Sequence, residues 1–438
     1  MCDVRLFGEL FAEGTRNGLT RPKAVRGAGV KMVNMGELFA YPRLRNAPMD
    51  RVPLSEAEAR KSLVEPGDLL FARQSLVLEG AGKCSIFLSD DEPVTFESHI
   101  TRVRLDSRKA DPRFYFYYLQ SHHGRAAITS IVEQGAGASG IRGSDLARLS
   151  VLWQPLPEQY AIADSLGALD DKIEQNRRTA QVLERLARAI FRAWFVDFEP
   201  VKAKAAGATA FPSMPQPVFD ALPTRFVDSA IGAVPEGWGV GPFKEIGELT
   251  IGGQWGEDVQ ADGMIEATCL RGVDLERLRG VGIAEPPKRW LKAAALDKRR
   301  MDDRDVLIAA SGAGPTGRSL WMCSALVKRW DKVSYSNFCK RIRCASSAHA
   351  VFLDAWLHEM RVSNEIWEHV NGTSIPNLDA GSLMNSKVIA LPNPSLLNAF
   401  HNVVRPMWEF RFSDESRTLD AMRDYLLPKL LSGEVRVS

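Results

Sequence analysis

Gly312-Ala313-Gly314-Pro315-Thr316-Gly317 has the G-x-G-x-x-G spacing of a dinucleotide-binding loop. That chemistry needs a helix directly after the loop, so that its N-terminus can take the pyrophosphate. The strand-like Leu320-Trp321-Met322 follows instead, so no cofactor is expected there. Gly82-Lys83 has no glycine five residues before Gly82 and is not a P-loop. Asn393-Pro394-Ser395-Leu396 lacks the second proline and the aromatic of the N-P-P-aromatic element that adenine methylation uses, and reads as a turn before a helix. The seven histidines show no metal-ligand spacing, and His122-His123, adjacent on a helix, point in different directions. The cysteines (Cys2, Cys84, Cys269, Cys323, Cys339, Cys344) include no C-x-x-C pair; they read as reduced thiols of a cytoplasmic protein, with no metal expected. No catalytic constellation emerges. What the side chains do offer is clustered positive charge, at Lys298-Arg299-Arg300, Lys328-Arg329 and Arg341-Ile342-Arg343. Such clusters suit a phosphate backbone, although a solvated face is an equal reading for any one of them.

The elements that would position these groups are duplicated. Glu65-Pro66-Gly67-Asp68-Leu69-Leu70-Phe71-Ala72 recurs as Asp302-Asp303-Arg304-Asp305-Val306-Leu307-Ile308-Ala309, a period of about 237 residues. Phe7-Gly8-Glu9-Leu10 recurs as Phe243-Lys244-Glu245-Ile246, and Gly135 to Pro155 aligns without a gap on Gly372 to Pro392. A period this long marks a duplicated domain, since solenoid repeats are several-fold shorter. Each half begins with β-rich segments: Asp68–Ala72 and Ser85–Leu88 in the first, Asp305–Ile308 and Ser319–Met322 in the second. A helical stretch follows, Arg113–Ile128 or Ala350–Val370, and then a last apolar strand. Between the halves runs the longest helix, about Glu158–Val196. Its apolar residues Ile162, Leu166, Leu169, Ile173, Ala180, Leu183, Ala187, Ile190 and Trp194 recur at steps of four and three, with Asn176 the one polar member. That is an a/d heptad seam, in which a lone Asn can fix register. At 1.5 Å per residue the helix is about 55 Å long. A proline-punctuated connector covers 200–235. A second spacer, about Leu396–Leu431, should be kinked or split at Pro406, and Leu419, Met422 and Leu426 give its last amphipathic stretch.

Composition fits a globular protein, with 45% hydrophobic and 25% charged residues over 438, and net charge of +2 argues neither for nor against nucleic acid. No apolar run is long enough for a bilayer, and the N-terminus shows no export signal.

The run Leu156-Pro157-Glu158-Gln159-Tyr160-Ala161-Ile162-Ala163-Asp164-Ser165-Leu166-Gly167-Ala168-Leu169-Asp170-Asp171-Lys172-Ile173-Glu174-Gln175-Asn176 resembles the central conserved region of type I restriction-modification specificity subunits. Ala189-Ile190-Phe191-Arg192-Ala193-Trp194-Phe195-Val196-Asp197-Phe198 is similar to the same region. Phe226 to Trp238 resembles the opening of the family's second recognition domain, and Leu426-Leu427-Pro428-Lys429-Leu430-Leu431-Ser432-Gly433-Glu434-Val435 its C-terminal end. Two departures stand out. The first half lacks the Pro-x-Gly-Trp opening seen at Trp238, and the second spacer lacks the Glu-Gln pair of Glu158-Gln159.

The resemblance implies an α+β chain: two mixed α/β target-recognition domains separated by long antiparallel coiled-coil spacer helices, with an internal pseudo-two-fold duplication. The expected boundaries are 1–155 for the first recognition domain, 156–200 for the central spacer, 201–234 for the connector, 235–392 for the second recognition domain and 393–438 for the C-terminal spacer. Such a chain reads a bipartite, asymmetric site on double-stranded DNA, and the helices set the unread gap. Two methyltransferase subunits carry SAM; where present, two motor-nuclease subunits carry ATP and Mg. The chain itself binds no cofactor and no metal, performs no catalysis and meets no membrane. Loops after the Asp68 and Asp305 strands are expected on DNA, with Arg73, Gln74 and Lys83 in the first half and Ser311, Thr316 and Arg318 in the second. Arg and Gln suit bidentate contacts to base edges. The rival readings are a stand-alone methyltransferase or nuclease with duplicated recognition domains, and a purely structural coiled-coil adaptor.

Overall fold

A computed structural model of the chain describes residues 3–436 apart from 136, 137, 283, 313 and 373. Cys2 and Ala313 of the motifs above, and three positions of the aligned stretches, lie outside the described residues. The architecture is α+β with long helices, and the chain divides into two compact units: Met1–Ile173 with Ser416–Ser438, and Glu174–Glu415.

The first unit is built on the strand Leu69–Ala72, every residue of which is buried. Successive side chains of a strand point to opposite faces. Leu69 and Phe71 accordingly join a core with Phe114, Tyr115 and Leu146, while Leu70 and Ala72 join a second core with Val33, Leu38 and Phe96. The strand lies in a five-stranded sheet in the order Arg16–Asn17, Ile100–Val103, Leu69–Ala72, Cys84–Ser89, Arg43–Arg45, antiparallel except for the last pair. A three-stranded sheet, Asp50–Val52, Val30–Val33, Val94–Phe96, stands beside it in sequence. The second unit is built on Asp305–Ala309, also wholly buried, in the antiparallel order Gly247–Leu249, Cys339–Cys344, Asp305–Ala309, Ser319–Trp321. Its three-stranded sheet is Lys288–Lys292, Met264–Leu270, Val333–Tyr335.

A buried aspartate stands at the head of each central strand, Asp68 just before Leu69 and Asp305 as its first residue. Asp68 Oδ2 accepts from the Glu65 amide at 2.8 Å, and Asp305 Oδ2 accepts from the Asp302 amide at 2.8 Å. Each carboxylate is then gripped by two guanidinium nitrogens: Arg104 at 2.7 and 2.7 Å, Arg343 at 2.8 and 2.6 Å. This accounts for one basic cluster differently from the expectation above. Arg343 is engaged by Asp305, and Arg341 is buried against Thr250 and the carbonyls of Lys298 and Arg300, so the pair is structural. Arg299 likewise donates to the Gly252 carbonyl, and Arg329 to that of Gly282.

The helices depart from expectation at their ends. Arg113–Ile128 is two helices, Pro112–Gln120 and His122–Ser130, because the Ser121 hydroxyl caps the second by accepting from the Gly124 amide at 3.2 Å. Ala350–Val370 is the helix Ser347–Val362 and a 3-10 turn Glu365–His369, separated at Asn364, whose φ is +66°. The long helix is Leu156–Phe191, continued by a π turn Arg192–Val196. Gln159, fully buried, holds its start: its Oε1 accepts from the Asp111 amide at 2.8 Å and its Nε2 donates to Gln154 O at 2.6 Å. The second spacer does not break at Pro406. Helix Pro394–Arg411 runs through that residue, held on either side by buried Val404 and Trp408, and ends at Phe412; helix Glu415–Ser432 follows. One missing amide costs a single intrahelical bond, which packing on both sides offsets.

Candidate nucleic-acid interface

In each unit a loop leaves the central strand and returns to it. In the first, Gly82 N donates to Ala72 O at 2.8 Å and Ala72 N donates to Lys83 O at 2.9 Å. In the second, Gly317 N donates to Ala309 O at 2.8 Å and Ala309 N to Arg318 O at 2.8 Å. Gly82 and Gly317 have φ of +69° and +79°, which is why glycine stands at the closing position of both loops.

Each loop is then laddered onto an exposed hairpin from the far end of its unit. Gln74–Ser75 pairs antiparallel with Ala138–Gly140, which pairs with Glu133–Gly135. Ser311 forms an isolated bridge to Asn377, on the hairpin Val370–Asn371 with Asn377–Leu378. The main-chain bonds correspond one for one. Arg73 N donates to His99 O and accepts through its own carbonyl from Ile141 N; Ala310 N donates to Phe338 O and accepts from Leu378 N. The framework is shared and the side chains on it are not: Arg73-Gln74 stands where the second unit has Ala310-Ser311.

Of the residues expected at this surface, Gln74 is exposed, and Arg73, Lys83, Ser311 and Arg318 are half-buried. Arg73 Nη1 donates to Ser98 O at 2.9 Å, while its buried Nε has no partner. Thr316 needs correction. It is wholly buried, and its hydroxyl lies 2.6 Å from Gly312 O and 3.2 Å from Pro376 O, so it ties the glycine loop to the hairpin and presents nothing outward. The side chains that sequence reasoning missed are the hairpin amides: Gln134 in the first unit, Asn371 and Asn377 in the second, all exposed. Amides donate and accept side by side, the pattern that matches the major-groove edge of adenine. The ungapped alignment of Gly135–Pro155 on Gly372–Pro392 begins inside these hairpins and was the trace of them in the sequence. Among the described residues no three His, Cys, Asp or Glu side chains converge as a metal site, and no helix is long and apolar enough to cross a membrane.

The seam residues at the two ends of the long helix bury in the cores of their own units. Ile162 and Leu166 join the first core with Leu430 and Leu431, and Ala187, Ile190 and Trp194 join the second with Phe400 and Val404. Ile173, Asn176 and Ala180 are buried, and Leu169 and Leu183 are half-buried. In the first unit Arg423 Nη1 donates to Asp170 at 2.8 Å and Gln154 Nε2 to Leu431 O at 3.3 Å. In the second Asn176 Nδ2 donates to Glu415 at 3.0 Å and Arg411 Nη2 to Glu184 at 2.8 Å. In both, later residues on one chain segment meet earlier ones on the other, an antiparallel pairing. Leu419 and Leu426 are half-buried, but Met422, expected in the second seam, is 47% exposed. Its place is taken by Arg423, which is drawn inward by Asp170.

The family model of the type I restriction modification DNA specificity domain matches residues 44–185. The type I restriction enzyme MjaIX specificity subunit of Methanocaldococcus jannaschii is 25% identical over 331 residues, spanning 74% of this chain and 69% of that protein. The HindI specificity subunit of Haemophilus influenzae is 23% identical over 460 residues, spanning 93% and 94%. The EcoKI specificity subunit of Escherichia coli is 29% identical over 177 residues, 40% of this chain and 37% of that one. The crystal structure of the S subunit of a type I restriction-modification system from M. genitalium matches with a TM-score of 0.56 over 98% of this chain and 96% of that chain; at 14% identity the likeness is one of fold.

Proposed function

We propose that this chain, which belongs to the type I restriction-modification DNA-specificity family, is the DNA-reading subunit of such a complex. The observation that carries the reading is the repeated loop-and-hairpin platform. One backbone frame is built twice, and each copy presents a different set of polar side chains. A site with two unlike half-sequences requires that combination: equal frames for equal placement on duplex DNA, unlike side chains for unlike bases. We read the two platforms as the DNA faces of duplicated recognition domains, 1–155 and 235–392. The segments 156–200 and 393–438 are antiparallel spacers on which two methyltransferase subunits dock, and 201–234 connects the first spacer to the second recognition domain. SAM belongs to those partners; ATP and Mg belong to motor-nuclease subunits where the complex has them.

Base reading falls to Gln74 and Gln134, with Arg73 beside them, in the first unit, and to Ser311, Asn371 and Asn377 in the second. Gln74→Ala should relax one position of one half-motif and leave the other half intact, and Asn377→Ala should do the converse. Each lost bidentate contact is worth about 1–3 kcal/mol. The check is to map methylated positions in cells carrying each variant with its methyltransferase. Relaxation in both halves at once, or in neither, contradicts the assignment.

A further inference from the structure

The glycine that closes each loop is followed by a cation, Lys83 after Gly82 and Arg318 after Gly317, each held by the same main-chain bond to the central strand. In each unit an arginine of a later helix stands against that closure. Arg125, on helix His122–Ser130, donates to Gly82 O at 3.4 Å and to Glu79 O at 3.0 Å. Arg361, on helix Ser347–Val362, lies beside Gly317: a β-carbon there would be in ordinary contact with its Cδ at 3.5 Å, behind the nearer Ile366.

Among the described residues three of these four cations have no ion-pair partner, although the Glu79 charge acts on Arg125 and the Glu276 charge on Arg361. Among the described residues neither Lys83 nor Arg125 has a carboxylate in ion-pair contact; Lys83 Nζ lies 5.0 Å from the centre of the Phe39 ring. Arg361 likewise has none. It lies 5.0 Å from the centre of the Trp367 ring, and its Nε is buried without a partner. Arg318 is the one paired member, to Glu276 at 2.7 Å. All four are half-buried. Burial first, and the facing arginine second, pull Lys83 below its ordinary range; Arg361 is lowered the same way, by burial and then by Arg318. Like charges held together in partial burial are costly alone and are relieved by an anion that can take hydrogen bonds from both.

We propose that Lys83 with Arg125, and Arg318 with Arg361, are two phosphate clamps, one in each unit, that grip the backbone of duplex DNA and read no base. This rests on the DNA-reading function above and refines it. Lys83 and Arg318, expected on DNA from the sequence, are assigned to the backbone, and Arg125 and Arg361 join them. Sequence-independent grip at an equivalent place in both units would fix how each hairpin meets the groove while its amides differ.

The test uses the purified full chain, a fluorescein-labelled random-sequence duplex and graded KCl, with binding read by anisotropy. Each neutralised phosphate contact adds about 0.9 to the slope of log affinity against log salt. Arg125→Gln and Arg361→Gln should each lower that slope by about 0.9, and the double variant by about 1.8. Arg125→Lys and Arg361→Lys should retain it. The methylated motif of cells carrying the Gln variants with the methyltransferase should stay unchanged. A wild-type chain whose slope the Gln variants do not alter overturns the clamps alone, as does a motif relaxed at one position. A wild-type chain that binds no duplex at all overturns the DNA-reading function and the clamps with it. If circular dichroism shows that the Gln variants do not fold, Lys83→Gln and Arg318→Gln in the loops decide the matter by the same slope.

Discussion

Asp68 and Asp305 show how single residues hold the loop-and-hairpin platforms. Both carboxylates are out of reach of solvent, 1% and 0% exposed, at the head of a strand whose far end launches the loop. Removing one partner of a buried pair leaves an uncompensated charge, a loss of about 3–5 kcal/mol. Arg102 and Arg341 stand 3.8 and 3.9 Å away and soften the loss. Arg104→Ala and Arg343→Ala should therefore each cost about 3 kcal/mol in urea unfolding. A loss under about 1 kcal/mol would show that the pair is not structural. The aspartates were visible in the sequence as the aligned Asp68 and Asp305, but their partners were not. Arg341 and Arg343 read as a basic cluster because a sequence shows charge and hides which carboxylate consumes it. Thr316 was misplaced for a similar reason: the carbonyl of Pro376, sixty residues on, closes over it.

At the scale of elements, the long helix was legible because a seam repeating every three or four residues survives any detail of packing. Most of its members bury, Leu169 and Leu183 only in part, and each end enters the core of its own unit. The second spacer is not split at Pro406 because proline propensity is a local rule, and the buried Val404 and Trp408 around that residue outweigh it. The hairpins escaped notice because two- and three-residue polar strands carry no periodicity. The antiparallel pairs Asp170–Arg423, Asn176–Glu415 and Glu184–Arg411 bear on how helix length can be varied. A heptad inserted in the long helix alone would break their register. A heptad inserted in both segments, near 173 and near 415, keeps the seam in phase. With the paired insertion the unread gap of the DNA site should lengthen while both half-motifs stay the same, as methylation mapping would show. An unchanged gap would remove the helices from the task of setting it.

Across the whole molecule, the runs 156–176, 189–198, 226–238 and 426–435 carry the resemblance to specificity subunits, and the family model of the type I specificity domain matches residues 44–185. The side chains that would choose bases were the least legible part. They sit where the two halves diverge, on loops whose partners come from the far end of each unit. The central claim, that one chain reads two unlike half-sites, is tested most directly by single-molecule sequencing of DNA methylated in cells that carry this chain and its methyltransferase. The expected result is one motif with two different specified halves and an unspecified gap of fixed length. Methylation with no sequence motif, or with one uninterrupted motif, would contradict it.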